Sequence, residues 1–467
     1  MKSEALKHSE IEESAILKPN FHLNIGKRSI ACFVGRGLKA IPLVQFVKEI
    51  YSGGIFKRVF VSDINAGIPY ISAQHMMLAN PKDYSKLISK KYTPRQNDMI
   101  LKENTILMSC AGTVGNIRLI DKSFANIIGS QDIIRIIPNL SNYGYVYAYL
   151  SSKICYNYIQ SLIYGSVVPR IEPNAVGKIP IPILTTAIQE EIHTLILEAV
   201  DLRVEANRLL EDAKSILKKE TILSDLTMDN YEYFGPHSKR DVMYFVKRSK
   251  NIDATTINAF NHSKRISDTI QRVKSIHSLP LEDVLDNKKL FSTGPFPRIE
   301  VEKGIKLINQ SDIFNVTIKG KNISRRKVRT DNLTEYGEVL LAGVGTLGEN
   351  ETFCRVIYAN EDLEGQLVSG EFIRMKTNEK VPSGYLYTWL STDYGFRFIR
   401  STQTGTKLCR PIQKLLLKIP VPILEKEIMK DIHEKTVKAY TMRYNANIKE
   451  SQAIQLIEKE IDSWQQS

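Results

Sequence analysis

Long apolar runs, cysteine pairs and catalytic signatures are all missing from this sequence, and each absence removes a class of protein. No stretch approaches the roughly 20 consecutive apolar residues that a helix needs to span a bilayer. The first residues, Met1-Lys-Ser-Glu-Ala-Leu-Lys-His8, mix charges and lack the apolar core of a secretory leader. A cytoplasmic chain with no membrane partner is therefore expected. There are five cysteines, Cys32, Cys110, Cys155, Cys354 and Cys409, an odd number with no C-x-x-C pair. That spacing argues against a disulfide framework and a zinc knuckle, and leaves reduced core thiols. No P-loop, H-E-x-x-H, G-x-S-x-G or Asp/Asn-Pro-Pro-aromatic tetrad occurs. Nothing answers the pattern of nucleophile, base and oxyanion donors, so no catalytic residue, metal or cofactor is expected.

What the chain does have is length and positive charge. Its 467 residues suffice for two to four domains. Lysine and arginine number 64 against 51 acidic residues, a formal charge of +13. A surplus of cations attracts polyanions through counterion release, which makes nucleic acid the first partner to consider.

The sequence is also written twice. Ile179-Pro-Ile-Pro-Ile-Leu184, preceded by Lys178, returns as Ile419-Pro-Val-Pro-Ile-Leu424, preceded by Lys418, at an offset of 240. At the same offset Gly144-Tyr-Val-Tyr147 matches Gly384-Tyr-Leu-Tyr387, Gly165 matches Gly405, Arg170 matches Arg410, and Gly54-x-Phe56-x-Arg58 matches Gly294-x-Phe296-x-Arg298. Between these anchors the offset drifts, as Gly112-Thr-Val-Gly115 pairs with Gly345-Thr-Leu-Gly348, and then recovers. Loop insertions and deletions produce such drift.

Each half ends in a heptad pattern. Ile192, Ala199, Ala206 and Ala213 recur every seven residues, followed three places later by Leu195, Leu202, Leu209 and Ile216. Ile432, Ala439, Ala446 and Ala453 repeat the first stripe at offset 240, while the second (Lys435, Met442, Lys449, Leu456) is poorer in apolar residues. Alanine stripes let two backbones approach closely, so the two helices are expected to pair. Halves related by a pseudo-twofold axis make that pair antiparallel. A helix of about 30 residues is about 45 Å long, somewhat more than one DNA turn of about 34–36 Å. The body of each half reads as mixed α and β, with strands at Ile106–Ser109, Ile117–Ile120 and Ile133–Ile136 and helical spacing from Val146 to Leu162.

Several motifs need weighing. Gly343-Val-Gly-Thr-Leu-Gly348 matches G-x-G-x-x-G, but the residues after it predict a turn and then a strand, not the helix a dinucleotide site requires. The basic run containing Lys319, Lys321, Arg325, Arg326, Lys327 and Arg329 falls in an expected loop, and its counterpart region holds Lys86, Lys90, Lys91 and Arg95. With Lys57, Arg58, Arg170, Arg298 and Arg410 these form the candidate DNA-binding set. Each is equally compatible with a solvated face or a salt bridge. Gln74 and Gln131 are polar candidates for base contacts. His193 and His433, equivalent in the two halves, lack metal-spaced companions and read as helix-face residues.

The ordered series Gly112-Thr-Val-Gly115, Gly144-Tyr-Val-Tyr-Ala-Tyr-Leu150, Gly165-Ser-Val-Val-Pro-Arg170, Lys178-Ile-Pro-Ile-Pro-Ile-Leu184 and Gln189-Glu-Glu-Ile192, present again in the second half, resembles the type I restriction–modification DNA specificity subunit. The resemblance runs from about Pro42 to the C-terminus. It implies an α+β fold of two similar target recognition domains in tandem, separated by two long antiparallel helices forming a coiled coil. On that scheme residues 1–183 form the first recognition domain, 184–222 the first spacer helix, 223–422 the second domain and 423–467 the second helix. It further implies double-stranded DNA as ligand, each domain reading half of a split target. Two methyltransferase subunits and restriction/translocase subunits are the implied partners, with all chemistry in them. Two other readings stay open at this point: a diverged DNA methyltransferase or nuclease, and a coiled-coil scaffold that binds no DNA.

Overall fold

A computed structural model describes residues 19–165, 167–226 and 246–466. The N-terminal residues read above for a leader lie outside them. The chain divides into two units, the first comprising residues 1–204 with 445–467 and the second 205–444. Both are mixed α/β.

In the first unit the strands are β1 (Ala40–Pro42), β2 (Val47–Ser52), β3 (Gly67–Ile71), β4 (Lys86–Ser89), β5 (Ile106–Ser109), β6 (Ile117–Leu119), β7 (Ile128–Gly129), β8 (Ile133–Pro138) and β9 (Pro180–Pro182). They build an antiparallel wall ordered β2-β8-β5-β6, a smaller sheet ordered β4-β3-β7, and a two-stranded clamp of β1 with β9. In the smaller sheet β3 runs antiparallel to β4 and parallel to β7. The three β-rich runs anticipated from sequence are β5, β6 and β8. Successive residues of β5 face opposite sides, as the period of two requires. Ile106 and Met108 pack with Tyr145, Tyr149 and Ile159, whereas Leu107 joins Ile71, Phe124 and Ile127.

The helix expected over Val146–Leu162 is instead two, Tyr143–Ser151 and Lys153–Ser161. Ser152 interrupts them. Its backbone is extended (ψ 153°) and its hydroxyl accepts from the Cys155 N–H at 3.2 Å. Serine caps a helix better than it continues one, so the apolar spacing runs on while the backbone turns.

The second unit contains β10 (Ser278–Pro280), β11 (Glu300–Ile308), β12 (Lys321–Ile323), β13 (Val339–Ala342), β14 (Val356–Tyr358), β15 (Leu367–Val368), β16 (Phe372–Met375), β17 (Gln403–Thr404), β18 (Arg410–Pro411) and β19 (Pro420–Pro422). Its sheets are ordered β14-β13-β16 and β12-β11-β15, with clamps β10–β19 and β17–β18. β11 is antiparallel to β12 and parallel to β15, the connection seen in the first unit. Helices Ser383–Ser391 and Asp393–Ser401 are again split by a capping hydroxyl, that of Thr392.

Two tethers recur residue for residue. The Tyr145 hydroxyl donates to the Pro182 carbonyl at 2.6 Å, and that of Tyr385 to Pro422 at 2.9 Å. The Gly144 N–H donates to His193 Nδ1 at 3.1 Å, and the Gly384 N–H to His433 Nδ1 at 3.0 Å. A Cβ at either glycine would lie 2.7 Å from the imidazole, so only glycine fits there. Burial lowers the pKa of both histidines, which favours the neutral, accepting ring.

The long helices span Thr186–Thr221 and Lys426–Gln466. Ile192, Ala199, Ala206, Ala213, Ile432, Ala439, Ala446 and Ala453 are all buried. The second stripe differs from expectation by one residue. On the first helix Ile196, Arg203, Leu210 and Leu217 are buried, while of the expected stripe Leu209 is buried and Leu195, Leu202 and Ile216 are only partly so. On the second, Thr436, Glu450 and Ile457 take the place assigned to Lys435, Lys449 and Leu456. Alternating steps of four and three carry the buried face, and polar residues occupy part of it.

Within the first unit, residues 186–204 pack against 445–467. Ile192 and Ile196 share a core with Ala453, Ile457 and Ile461. Lys449 Nζ lies 2.5 Å from Glu198, and Arg203 donates to Asn447 at 3.0 Å, so numbering falls on one segment as it rises on the other. Arg203 also pairs with Glu450, which accepts from the Tyr147 hydroxyl. Burial alone would push the Glu450 carboxyl up, but Arg203 and the Tyr147 hydrogen bond hold it below the usual carboxylate range. Within the second unit Arg443 donates to Asn207 at 2.7 Å, the same residue types with the helices exchanged.

Candidate nucleic-acid interface

In the first unit the candidate cations gather on and around the small sheet. Arg58 donates to the Tyr70 hydroxyl at 3.3 Å, with its guanidinium 6.0 Å from the ring centroid. Lys86, on β4, lies 5.6 Å from the Phe60 ring, and Lys91 lies 5.4 Å from Tyr92. Lys90 Nζ donates to the Asn65 carbonyl at 2.9 Å. Lys57 and Arg95 are exposed. In the same segments Ile55 is 88% exposed, Ile64 75% and Tyr92 59%, so uncovered apolar side chains neighbour the cations along the chain. Cations held over aromatic rings on a sheet are less free to wander than lysines on a solvated loop, which favours repeated contact with one polyanion.

Arg170 is placed elsewhere, at the base of a tight loop whose strands meet through Tyr164 and Arg170. Gly165 turns that loop at φ +89°, where a Cβ would strike the Val168 carbonyl at 2.5 Å. Arg410 has the matching position in the second unit, on β18, beside Gly405 at φ +97°. Gln131 is half-buried, and its side-chain oxygen has no partner among the described residues.

In the second unit part of the basic run is neutralised from within. Lys321, expected in a loop, lies on β12, because Lys321-Asn-Ile323 pairs with β11, and its Nζ is 2.5 Å from Glu300. Arg329 pairs with Asp331, whereas Arg325 donates to the Val328 carbonyl and keeps its charge. Arg298 sits 5.9 Å from the Phe296 ring. Arg326 and Lys327 are exposed and have no carboxylate partner among the described residues.

The G-x-G-x-x-G match is a turn. Gly345 exchanges backbone hydrogen bonds with Cys409, and the next regular element is strand β14. Burial pushes the Cys110 thiol up to about 11, away from nucleophilic use. No group of histidine, cysteine and carboxylate side chains suited to a metal occurs among the described residues, and no helix there is long and apolar enough to cross a membrane.

Sequence reasoning missed two buried arginines. Arg135 pairs with Leu107 on β5, and Arg374 with Leu340 on β13. Arg135 ties its wall to β7 of the small sheet, and Arg374 ties its wall to residues 331–333, where Leu333 bridges Leu367 of β15. Arg135 donates to the carbonyls of Gly129 at 2.6 Å and Met99 at 3.3 Å, and Arg374 to Leu333 at 2.6 Å and Asn332 at 3.0 Å. A signal existed, since Ile133-Ile-Arg-Ile136 and Phe372-Ile-Arg-Met375 each place one arginine inside an apolar strand.

Residues 48–213 match the family described as type I restriction modification DNA specificity domain. No curated protein sequence matches the chain. Among solved structures, the type I restriction-modification system S subunit from M. genitalium aligns at 13% identity over 92% of this chain and 95% of its own, with a TM-score of 0.32. The HsdS subunit from Thermoanaerobacter tengcongensis aligns at 13% identity over 92% and 96%, with a TM-score of 0.27.

Proposed function

We propose, from the match of residues 48–213 to the type I restriction modification DNA specificity domain, that this chain is the DNA-recognition subunit of such a system. The specificity-domain match is the observation that carries the reading, and the cationic, aromatic-studded small sheets support it. The chain recognises and does not catalyse.

In detail, two target recognition domains in tandem each read one half of a bipartite sequence. Lys57, Arg58, Lys90, Lys91, Arg95 and Arg170 place the first on phosphates. Arg298, Lys321, Arg325, Arg326, Lys327, Arg329 and Arg410 place the second. Phosphate contacts fix orientation, and side chains at base edges supply specificity. Because Lys321 and Arg329 already have carboxylate partners within the protein, Arg326 and Lys327 contribute more than they do to the second domain's phosphate attraction. The two long helices form an antiparallel coiled coil through the alanine stripes, set the spacer between half-sites and dock methyltransferase subunits. Helices of 36 and 41 residues are about 54 and 62 Å long. Methylation and ATP-dependent cleavage belong to the partner subunits, and the chain works in the cytoplasm.

Sequencing methylated adenines in cells that carry this gene and its neighbours tests the proposal. A split motif with a fixed spacer, lost when this gene alone is deleted, is expected. Methylation that persists without the chain refutes it.

A further inference from the structure

The two units differ at one matched point. Tyr51 pairs across β2 with Arg135, and Phe291, 240 residues on, bridges Arg374. Each ring faces its arginine, at 6.0 Å and 4.7 Å. Three residues later come Gly54 and Gly294. In the second unit both polar groups here are satisfied internally. The Gly294 N–H donates to Asn332 Oδ1 at 2.8 Å, and Arg374 is gripped by both oxygens of Glu338, at 2.8 and 2.7 Å.

In the first unit neither is closed. Arg135 is 1% exposed and bonds only to carbonyls, those of Gly129, Ile133, Ser130 and Met99. No carboxylate pairs with it, and its Nε has no partner among the described residues. It lies directly beneath the backbone, since a Cβ on Gly53 would be 3.2 Å from its Nη1. On the outer side the exposed Arg95 guanidinium rests on Gly54, so closely that a Cβ there would lie 1.8 Å from Nη2. Arg95 likewise has no carboxylate partner, and the Gly54 N–H has no acceptor among the described residues. Two guanidinium groups thus sandwich a glycine pair whose amide is free, with Lys57 and Arg58 next along the chain. A buried cation without an anion is costly, and an anion drawn close to it recovers part of that cost.

We propose that Gly54 and Arg95, backed by the buried Arg135, form a seat for one phosphodiester of the DNA backbone, present in the first unit and closed in the second by Asn332 and Glu338. The proposal rests on the DNA-recognition reading above. It makes the heads unequal: the first anchors on the backbone at this point, and the second does not. A side chain at Gly53 would press on the buried Arg135 guanidinium at 3.2 Å, and one at Gly54 would make the Arg95 guanidinium move off the backbone.

The test is fluorescence anisotropy of a labelled random duplex with the full-length chain, across a salt series. Arg95→Ala is expected to lower the slope of log Kobs against log salt by about 0.9 and to weaken binding several-fold at moderate salt. Gly54→Ala, which makes Arg95 move and crowds the amide, should weaken binding with a smaller change of slope, and Arg95→Lys should restore the slope without full affinity. Gly294→Ala should leave the slope unchanged, since there Asn332 holds the amide. Wild-type binding with an unchanged Arg95→Ala slope overturns the seat and leaves the proposed function standing. A Gly294→Ala effect equal to that of Gly54→Ala overturns the inequality of the heads. A wild-type chain that binds no duplex overturns the recognition reading and the seat together.

Discussion

Replacing Glu450 with alanine strands a buried charge. Arg203 and Glu450 side chains are 9% and 11% exposed, so solvent screens them little. Among the described residues, removing the carboxylate leaves Arg203 with Asn447 as its hydrogen-bond partner and deprives the Tyr147 hydroxyl of its acceptor. Breaking one side of a buried pair costs about 3–5 kcal/mol. In a domain of this size each kcal/mol moves the melting point by about 2–4 °C, so Glu450→Ala should melt about 10 °C below wild type. Replacing the whole cluster by apolar residues (Glu450→Leu, Arg203→Met, Tyr147→Phe) should recover most of that loss, because desolvation of the pair nearly cancels its attraction. The pH dependence has a definite sign. The Glu450 carboxyl is depressed in the fold, so its contribution is complete above the ordinary glutamate value, about 4.3, and is lost as pH falls toward the lowered one. Calorimetry or circular dichroism of the purified chain measures all three. A Glu450→Ala variant within 1 kcal/mol of wild type, or a triple variant no more stable than the single, refutes the reasoning.

Two further outcomes follow from the repeated histidines and the basic run. Burial lowers His193 and His433, so the stability they confer is present above about pH 6.5 and declines as pH falls below it; replacing both with glutamine should flatten that decline, and an unaltered profile would exclude them as its cause. Arg326→Ala with Lys327→Ala should lower the salt slope of duplex binding by up to about 2, whereas Arg329→Ala, whose guanidinium is held by Asp331, should change it little; equal slopes in both variants would contradict the partition.

Much of this architecture could be read from the chain. Strands β5, β6 and β8 announced themselves as apolar runs between turns, and the offset of 240 located the counterparts of Gly144, Tyr145 and His193. The alanine stripe was visible because seven-residue spacing survives in both helices. Its companion was not. Leucines at 195, 202 and 209 look like the natural partner row, but of these only Leu209 is buried, while the buried row includes Arg203 and Glu450, which a hydrophobicity rule assigns to water. Only tertiary pairing turns those charges inward. Ser152 shows the same limit, since amphipathic spacing says nothing about where a capping hydroxyl will end one helix and begin another. For the cations, sequence supplied a set but not a division of labour. Lys321 and Arg329 are paired with Glu300 and Asp331, while Arg135, unmarked as a candidate, stands without a counter-charge among the described residues.

The proline-flanked clamps have a consequence for how such a chain can change. Backbone bonds from Leu43 to Ile179 and from Ile183 to Lys39 fasten the entrance of the first unit to its exit, and Leu281 to Ile419 with Ile423 to His277 do so in the second. Everything between is a closed excursion, so residues gained or lost inside it never reach the helix beyond. The numbering bears the trace: Gly112 and Gly345 have slipped to a separation of 233, yet by Ile179 and Ile419 it is 240 again. Surface loops are free to vary while the heptads stay in phase.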